Sequence, residues 1–306
     1  MSDWAVPEKA ELYQFHQNDP FDTSRPIVLV IPQLMSSKEY MRSIRELRPP
    51  SGSLAIWFLG QNGFLLKDES GLLIGIDLYL TNSCADTPNS YSYRVDRQLP
   101  IFIEPEDLDI DVFIATHSHR DHTDPQTIGR MSRINETMFL GPFDAARIFM
   151  QCGVPPSKCR VLHPGEVMAL GSTELQATFA FPTDSTDLNH IGVLLTLGSG
   201  ITFYNSGDTA WSDRLSLLLP RDVDICTICI NGGYHNLSPE QAALIIRGIN
   251  PRVAIPCHYD MMVNNVGSPN MFRAALAREG MEDRFHMLSY YAPWLYTKTP
   301  VSTGSR

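Results

Sequence analysis

The sequence predicts an α/β fold in which two mixed β-sheets pack together and helices lie outside them. Residues 54–80 contain three strand-like segments separated by polar turns, which is typical of a β-meander. Beyond residue 110, short apolar strands alternate with segments of helical periodicity. A meander followed by such an alternation indicates two layered sheets with helices on their outer faces.

The N-terminal part of the chain has a helical pattern. The segment SSKEYMRSIREL begins with serine and places Tyr40, Ile44 and Leu47 at helical spacing. The segment RPPSGS then breaks the pattern. We therefore expect residues 1–50 to form a helical lead-in and residues 51–306 to form the main domain.

The second half of the chain alternates between predicted strands and helices. DVFIAT, MFLGP and RVAIPC are predicted strands, whereas PQTIGRMSRI, FDAARIFMQCG and SPEQAALIIRGI have helical patterns, the last capped by Ser238. KCRVLHPGEVMALGSTELQATFAF contains two or three further strands. IGVLLTL and ITFYNSG are expected to form a hairpin through GSG, and VDICTICI is a predicted buried strand.

Composition excludes several classes of function. The chain has 306 residues, a formal net charge of −10 and 43% hydrophobic residues. A net acidic protein has no long-range attraction for phosphate backbones, so we expect no nucleic-acid partner. The N-terminus lacks the basic and apolar regions of a signal peptide, and no apolar run approaches the length of a membrane span. We therefore expect a cytoplasmic protein with no membrane partner.

The cysteines do not suggest a disulfide framework or a zinc knuckle. Six cysteines are scattered along the chain. Cys226 and Cys229 form a C-x-x-C inside the predicted strand VDICTICI. Side chains three positions apart in a strand point to opposite faces of the sheet. We therefore expect these two thiols to pack in the core and not to bind a metal together.

The strongest functional signal is the segment HSHRDH, which begins where the strand VFIAT ends. It contains His117, His119, Asp121 and His122, so three of the nine histidines lie within six positions. In extended backbone, His117 and His119 point in the same direction because they are two residues apart. Imidazole and carboxylate groups supply the nitrogen and oxygen ligands that suit zinc, manganese or iron. The segment therefore predicts a metal site at a strand end.

Further acidic and histidine residues follow other predicted strands. Asp208 comes after ITFYNSG, and His258 comes after RVAIPC. Asp184 lies just beyond LQATFAF, a possible fourth strand end. Each residue alone is a weak signal, but together with HSHRDH they form a ligand set distributed over several strand ends.

These motifs resemble the metallo-β-lactamase superfamily, with its H-x-H-x-D-H, its G-D-T and its late histidine. The segments SLAIWFLGQNGFLLK, GVPPSKCRVLHPGEV, FYNSGDTAWSD and HNLSPEQAALIIRGINPRVAIPCHYDMMVNN resemble the L-ascorbate-6-phosphate lactonase family within it. The resemblance covers roughly residues 50–295. It implies an αββα sandwich with a dinuclear metal site at one edge.

The resemblance also implies roles for individual residues. The two ions would share a set of ligands, with His117 and His119 at the first site, Asp121, His122 and His258 at the second, and Asp208 between them. Many relatives have another histidine at the first site, whereas this chain has PTDSTDLNHIG in that region. We expect Asp184 to complete the first site, with Asp187 and His190 as the alternatives.

The implied activity is metal-dependent hydrolysis. Two divalent ions, manganese or zinc, would lower the pKa of a shared water so that it attacks an electrophilic carbonyl. The resemblance implies a small lactone as substrate, such as the phosphorylated sugar-acid lactone L-ascorbate 6-phosphate. The catalytic proton shuttle would be Asp121 or a metal-bound water. The alternatives are a phosphodiesterase or nuclease on the same dinuclear scaffold and a non-catalytic metal-binding protein.

Candidate substrate contacts surround the predicted ligands. His235 and Asn236 follow a buried strand and two glycines, and Asp260 and Asn264 lie in the last-ligand segment, where Asp260 would orient a histidine. Three arginines could bind a substrate phosphate: Arg94, Arg97 and Arg120. We expect a small-molecule substrate and, because relatives often self-associate, a homo-oligomer.

Overall fold

The computed structural model describes residues 35–86, 94–263, 265 and 267–298 of the chain. Its first sheet has seven strands. In chain order they are β1 (Ser53–Gly60), β2 (Gly63–Asp68), β3 (Leu73–Ile76), β4 (Val112–Ile114), β5 (Met138–Gly141), β6 (Cys159–Val161) and β13 (Trp294–Thr297). Their spatial order is β13-β1-β2-β3-β4-β5-β6. Strands β1 to β3 form the predicted antiparallel meander, and β3 to β6 are parallel, so the sheet is mixed.

The second sheet has six strands. They are β7 (Val167–Leu170), β8 (Thr173–Phe179), β9 (Ile191–Thr196), β10 (Thr202–Asn205), β11 (Ile225–Cys229) and β12 (Val253–Cys257). Their order is β12-β11-β10-β9-β8-β7. The predicted hairpin of β9 and β10 is confirmed as an antiparallel pair, whereas β10, β11 and β12 run parallel.

Six α-helices accompany the sheets in the described part of the chain. They are α1 (Ser37–Glu46), α2 (Pro125–Arg130), α3 (Phe143–Gln151), α4 (Leu215–Leu218), α5 (Pro239–Ile249) and α6 (Pro269–Arg278). Ser36 and Ser238 each close a capping box, so the predicted starts of α1 and α5 are confirmed. Helix α2 is shorter than predicted because Met131 turns to extended backbone and buries its side chain. The αββα sandwich predicted from the sequence is confirmed.

Aromatic side chains fill the space between the two sheets. Phe64 of β2 stacks on Phe58 at 4.9 Å and meets Phe203 of β10 edge-on at 6.1 Å between ring centroids. Tyr40 and Ile44 of α1 are buried in the same core. The described part of the predicted lead-in therefore packs on the main domain, while residues 1–34 lie outside the described residues.

A reciprocal pair of amides also joins the sheets. Asn62, in the turn between β1 and β2, donates to Asn205 Oδ1 at 3.0 Å, and Asn205 donates back to Asn62 Oδ1 at 2.9 Å. Both side chains are fully buried. Buried amides are stable when their polar atoms are paired, so this contact fixes the position of β10 against the first sheet.

The topology places the predicted ligands at one edge of the sandwich. HSHRDH follows β4 in the first sheet, and Asp208 and His258 follow β10 and β12 in the second. Strand β9 is antiparallel to β10, so His190, directly before β9, lies at the same edge as the end of β10. Within the described ranges, no helix is both long and apolar enough to cross a membrane.

Candidate metal centre

Three histidines form what we call the first ligand group: His117, His119 and His190. One ligand atom of each lies within 4.8 Å of the others. His117 Nε2 and His119 Nδ1 are 3.0 Å apart, and the ring of His190 stacks on that of His117 at 4.1 Å. His117 and His190 are buried, so the ligand atoms face one another away from bulk water.

The remaining ring nitrogens of this group are held by neighbouring oxygens. The pairs are His117 Nδ1 with Thr116 Oγ1 at 3.0 Å, His119 Nε2 with Thr186 Oγ1 at 3.1 Å, and His190 Nδ1 with the backbone oxygen of Asp208 at 3.0 Å. Such partners hold each ring in one tautomer and one orientation. His190 Nε2 is buried and has no hydrogen-bond partner among the described residues. A bound cation would satisfy this nitrogen.

The expected ligand Asp184 lies outside the first ligand group, which is a correction to the sequence analysis. Its Oδ1 accepts hydrogen bonds from the backbone and hydroxyl of Thr186 at 2.7 and 2.6 Å. Its Oδ2 is 3.4 Å from His119 Nε2, the nitrogen that faces away from His117. Asp184 therefore supports His119 from behind, and His190, one of the two alternatives, takes the place in the group.

Asp187, the other alternative, is also turned away from the group. Its carboxylate accepts from the backbone N–H groups of Ser118 and Asn189, each at 2.7 Å. The segment between β8 and β9 thus folds its two aspartates into local turns. The residue that reaches the centre is the one at the start of β9, because Asp208 anchors His190 there.

A second ligand group consists of Asp121, His122, His258 and Asp208. Asp121 Oδ2 lies 3.4 Å from the Nε2 atoms of both His122 and His258, which are 3.3 Å from each other. Asp208 Oδ2 is 3.3 Å from His258 Nε2, and its Oδ1 is 3.6 Å from His122 Nε2. The predicted residues of the second site are therefore brought together.

Asp208 has one carboxylate oxygen to offer. Asn236 Nδ2 donates to its Oδ2 at 2.6 Å, whereas its Oδ1 is buried without a hydrogen-bond partner among the described residues. A buried carboxylate oxygen without a partner is costly unless a cation or a donor satisfies it. Asp208 also contacts the first ligand group through its backbone, so the position predicted between two ions fits the geometry.

Two residues at the centre were missed by the sequence analysis, and Asp77 is the first. It is fully buried directly after β3 and accepts from His122 Nδ1 at 2.7 Å. It also accepts from Thr116 Oγ1 and Asn62 Nδ2, each at 2.6 Å. Asp77 thus turns His122 Nε2 toward the centre. An aspartate ending an apolar strand was the available signal, in IGID.

Gln61 is the second residue that was missed. It is buried in the turn between β1 and β2 with a φ of 55°. Its Nε2 donates to Asp121 Oδ2 at 2.6 Å and lies 3.0 Å from His258 Nε2. Its backbone oxygen accepts from the His258 N–H at 2.6 Å. A polar residue in a hairpin turn gives no signal of such a role in the sequence.

The two groups differ in charge. Burial, reinforced by neighbouring histidines, lowers the pKa of His117 well below its usual value, and burial also lowers the pKa of His190. At His258, burial opposes the charged form, but the carboxylates of Asp208 and Asp121 outweigh it and raise the pKa to about 9. Burial disfavours the charged Asp208 too, yet His258 and His122 hold its pKa well below the usual range.

A cleft of about 660 Å³ opens beside the two groups. Its lining consists of Pro182, Thr183, Asp184, Ser185, Leu188, Ala210, Trp211, His235, Asn236 and Gln241. His235 donates from Nδ1 to the backbone oxygen of Thr183 at 2.8 Å, and Asn236 holds Asp208. The predicted substrate residues His235 and Asn236 therefore lie in the cleft wall.

The other predicted contacts are placed differently. Asp260 is not in the lining of the cleft, and no hydrogen bond joins it to His258 within the described residues. Asn264 lies outside the described residues. Arg94 is paired with Asp86 and Asp96, and Arg97 donates to backbone oxygens. Arg120 is exposed, with no ion pair to any residue that the structure describes.

The two cysteines of the C-x-x-C are buried in β11, as predicted. Cys226 Sγ lies against the Thr227 backbone oxygen and Cys229 Sγ against Asn236 Oδ1. Neither belongs to a potential metal-binding group of the described residues.

Comparison with known proteins identifies the family. The model of the β-lactamase superfamily domain matches residues 55–258. A metal-dependent hydrolase of Cupriavidus taiwanensis is 27% identical over 256 residues, 77% of this chain and 84% of that protein. A probable L-ascorbate-6-phosphate lactonase of Escherichia coli is 25% identical over 261 residues, 72% of this chain and 74% of that one.

Solved structures share the fold. A metallo hydrolase of Ignicoccus hospitalis superposes with a TM-score of 0.62 at 18% identity, covering 81% of this chain and 100% of that chain. The domain match and the two sequence relatives confirm the resemblance found in the sequence. The match of the domain model over most of the sandwich shows that the chain belongs to the β-lactamase superfamily, as one of its metal-dependent hydrolases.

Proposed function

We propose that the protein opens a small lactone ring by hydrolysis, with phosphorylated sugar-acid lactones such as L-ascorbate 6-phosphate as the substrate class. The observation that carries the proposal is the Oδ1 of Asp208, which is buried where two ligand groups meet beside a cleft and has no hydrogen-bond partner within the described residues. The similarity to proteins named as lactonases supports the choice of a lactone.

The ligand groups fit two divalent ions, which we propose to be manganese or zinc. His117, His119 and His190 would hold one, and Asp121, His122 and His258 the other. Asp208 would face both, since its side chain lies against the second group and its backbone against the first. When bound, such ions activate water and polarise a carbonyl oxygen.

The chain's own residues would bind the substrate and move a proton. Burial opposes ionisation of Asp121, but His122 and His258 keep its pKa well below the usual range, so it is a carboxylate, and we assign it the transfer of the proton. Asn236 fixes Asp208 through one oxygen. His235, held by Thr183, presents its ring to the cleft, where it can contact the ring or hydroxyl groups of a lactone.

A substrate phosphate would bind at Arg120. The described lining of the cleft contains no lysine or arginine. Arg120 lies within HSHRDH, between two predicted ligands, and is exposed. A guanidinium without an ion-pair partner is suited to a phosphate at the edge of the centre.

The test is a panel of substrates measured with the protein loaded with manganese or zinc. We expect hydrolysis of sugar-acid lactones, faster when they carry a phosphate. Arg120→Ala should raise KM for phosphorylated lactones about 10-fold or more, the scale of one charge-assisted contact, and leave other lactones unchanged. Arg94→Ala, which removes an arginine already paired with aspartates, is the matched control.

Two results would overturn the proposal. Cleavage of phosphodiesters without lactone hydrolysis would indicate the phosphodiesterase alternative. Full metal occupancy with no turnover of either class would favour a metal-binding protein that is not an enzyme.

A further inference from the structure

Gln61 occupies a ligand atom of the second group. Its Nε2 donates to Asp121 Oδ2 at 2.6 Å and lies 3.0 Å from His258 Nε2. Since Nε2 of His258 is the nitrogen that faces Asp208 and His122, it is also the nitrogen that a metal would use. At Asp121 Oδ2 the amide and a cation therefore compete for the same lone pairs, and beside His258 the amide fills space that a cation would take.

The orientation of this amide follows from its partners. Asn265 Nδ2 donates to Gln61 Oε1 at 2.9 Å, and the carboxylate of Asp121 can only accept from Nε2. Turning the amide over would set two donors against each other at Asn265 and two acceptors against each other at Asp121. Oε1 thus cannot serve as a metal ligand without breaking contacts on both sides.

The first ligand group has no such competitor among the described residues. His117 Nε2 and His119 Nδ1 face each other, and His190 Nε2 has no hydrogen-bond partner in the described part of the chain. Among the residues that the structure describes, no amide or hydroxyl donor lies against these three atoms, because Thr116, Thr186 and the Asp208 backbone contact the opposite nitrogens. This group is ready to bind a cation as it stands.

We infer that the two ligand groups fill in sequence, the first group before the second, and that Gln61 sets the affinity of the second by holding Asp121 beside His258 until a cation displaces its amide. The inference rests on the assignment of two ligand groups and not on the substrate. Only the side chain needs to move, because the backbone of Gln61 stays bonded to the His258 N–H.

The experiment is a calorimetric titration of the metal-free full chain with Zn²⁺. We expect two binding events of unequal affinity. His258→Ala should remove the weaker event, and His190→Ala should remove the tighter one. Two equal events, or loss of the tighter event in His258→Ala, would overturn the order of filling.

Gln61→Gly tests the role of the amide. Glycine accepts the φ of 55° at this position and removes the competing donor. We expect the weaker Zn²⁺ event to tighten about 10-fold, the scale of one lost hydrogen bond to a charged group, with no change in the tighter event. An unchanged or weaker second event would show that Gln61 supports the site and does not close it.

Three further variants keep the result interpretable. Gln61→Asn also tolerates a positive φ and withdraws the amide by one methylene, so it should reproduce the tightening. Asn265→Ala frees Oε1 without touching the ligand groups and should tighten the second event less. Gln126→Ala removes an exposed glutamine and is the matched control, with both events unchanged. Circular dichroism of each metal-free variant establishes that it is folded.

Discussion

The two ligand groups are built from the same two sheets but from different chemistry. The first consists of three imidazoles held by hydroxyl and backbone oxygens. The second combines two imidazoles with two carboxylates, and a third carboxylate, Asp77, holds His122 from behind. In the metal-free state His117 and His190 are neutral, whereas the second group is a network of opposite charges that partly satisfy one another.

This difference affects how readily the first group binds a cation and how stable the second group is without one. His117 and His190 of the first group keep their lone pairs free because they stay neutral, as their lowered pKa values indicate. The second group stabilises its own metal-free state by pairing charges and by the Gln61 amide. The first group can thus bind a cation as it stands, whereas the second can do so only when the Gln61 amide is displaced.

The largest expected effect on hydrolysis is that of Asp208→Ala, because Asp208 contacts both ligand groups. We expect loss of hydrolysis by about 10³-fold or more, the scale of removing a key electrostatic element of an active site. Bound metal should fall as well, because two cations that lose a shared anion repel each other more strongly. Turnover, metal content and circular dichroism check this. Normal metal content with near-parent turnover would separate Asp208 from the centre.

The next largest effect is on metal binding by the first group, where His190 and Asp184 should differ. His190→Ala should cost about one metal ion per chain, since it removes one of three ligands. Asp184→Ala should weaken the tighter site by about 10- to 100-fold, as expected for a residue that orients a ligand. Metal titration of both variants decides between them. A greater loss in Asp184→Ala would restore the assignment first made from the sequence.

The pH dependence of the metal-free protein should differ between the groups. Below about 6.5, unfolded histidines bind protons that buried His117 and His190 exclude, so stability should fall as the pH falls. His258 has a raised pKa, so its contribution is full below about 6.5 and is lost as the pH rises through about 9. Urea midpoints across this range test the prediction. His117→Gln should flatten the acid side and His258→Gln the alkaline side, and unaltered profiles in both variants would contradict it.

The smallest effect on metal content is expected from substituting the two thiols of the C-x-x-C, which lie near the centre without belonging to it. Cys226→Ser and Cys229→Ser should leave metal content unchanged. Each should lower the free energy of unfolding by about 1–3 kcal/mol, because a buried hydroxyl replaces a thiol. Elemental analysis and urea denaturation measure the two quantities. Loss of about one ion in either variant would place a thiol in the ligand set.

Much of the centre could be predicted because its residues follow strands that the sequence marks clearly. HSHRDH, Asp208 and His258 come directly after apolar runs, and strand ends of one sheet edge lie together. The segment from Asp184 to His190 could not be resolved in the same way. Its ligand is chosen by which side chains are tied into local turns, and turns of this kind depend on contacts such as Asp187 with Ser118.

Asp77 and Gln61 could not be predicted from the sequence for a different reason. Each acts through contacts with residues far away in the chain, such as Asp77 with His122 and Gln61 with His258. Their positive φ angles, 46° and 55°, are also invisible in the sequence. Spacing rules find residues that share a strand end, but they do not find partners brought together by the packing of two sheets.

The buried amide pair of Asn62 and Asn205 affects how the two sheets separate during unfolding. Each amide satisfies the other across the sheets, so separating the sheets leaves buried donors and acceptors unpaired on both sides. The first and second ligand groups each draw residues from both sheets. The two sheets and the centre should therefore open as one cooperative unit. In native-state hydrogen exchange, the amide protons of β2 and β10 would share one opening free energy, raised equally by metal.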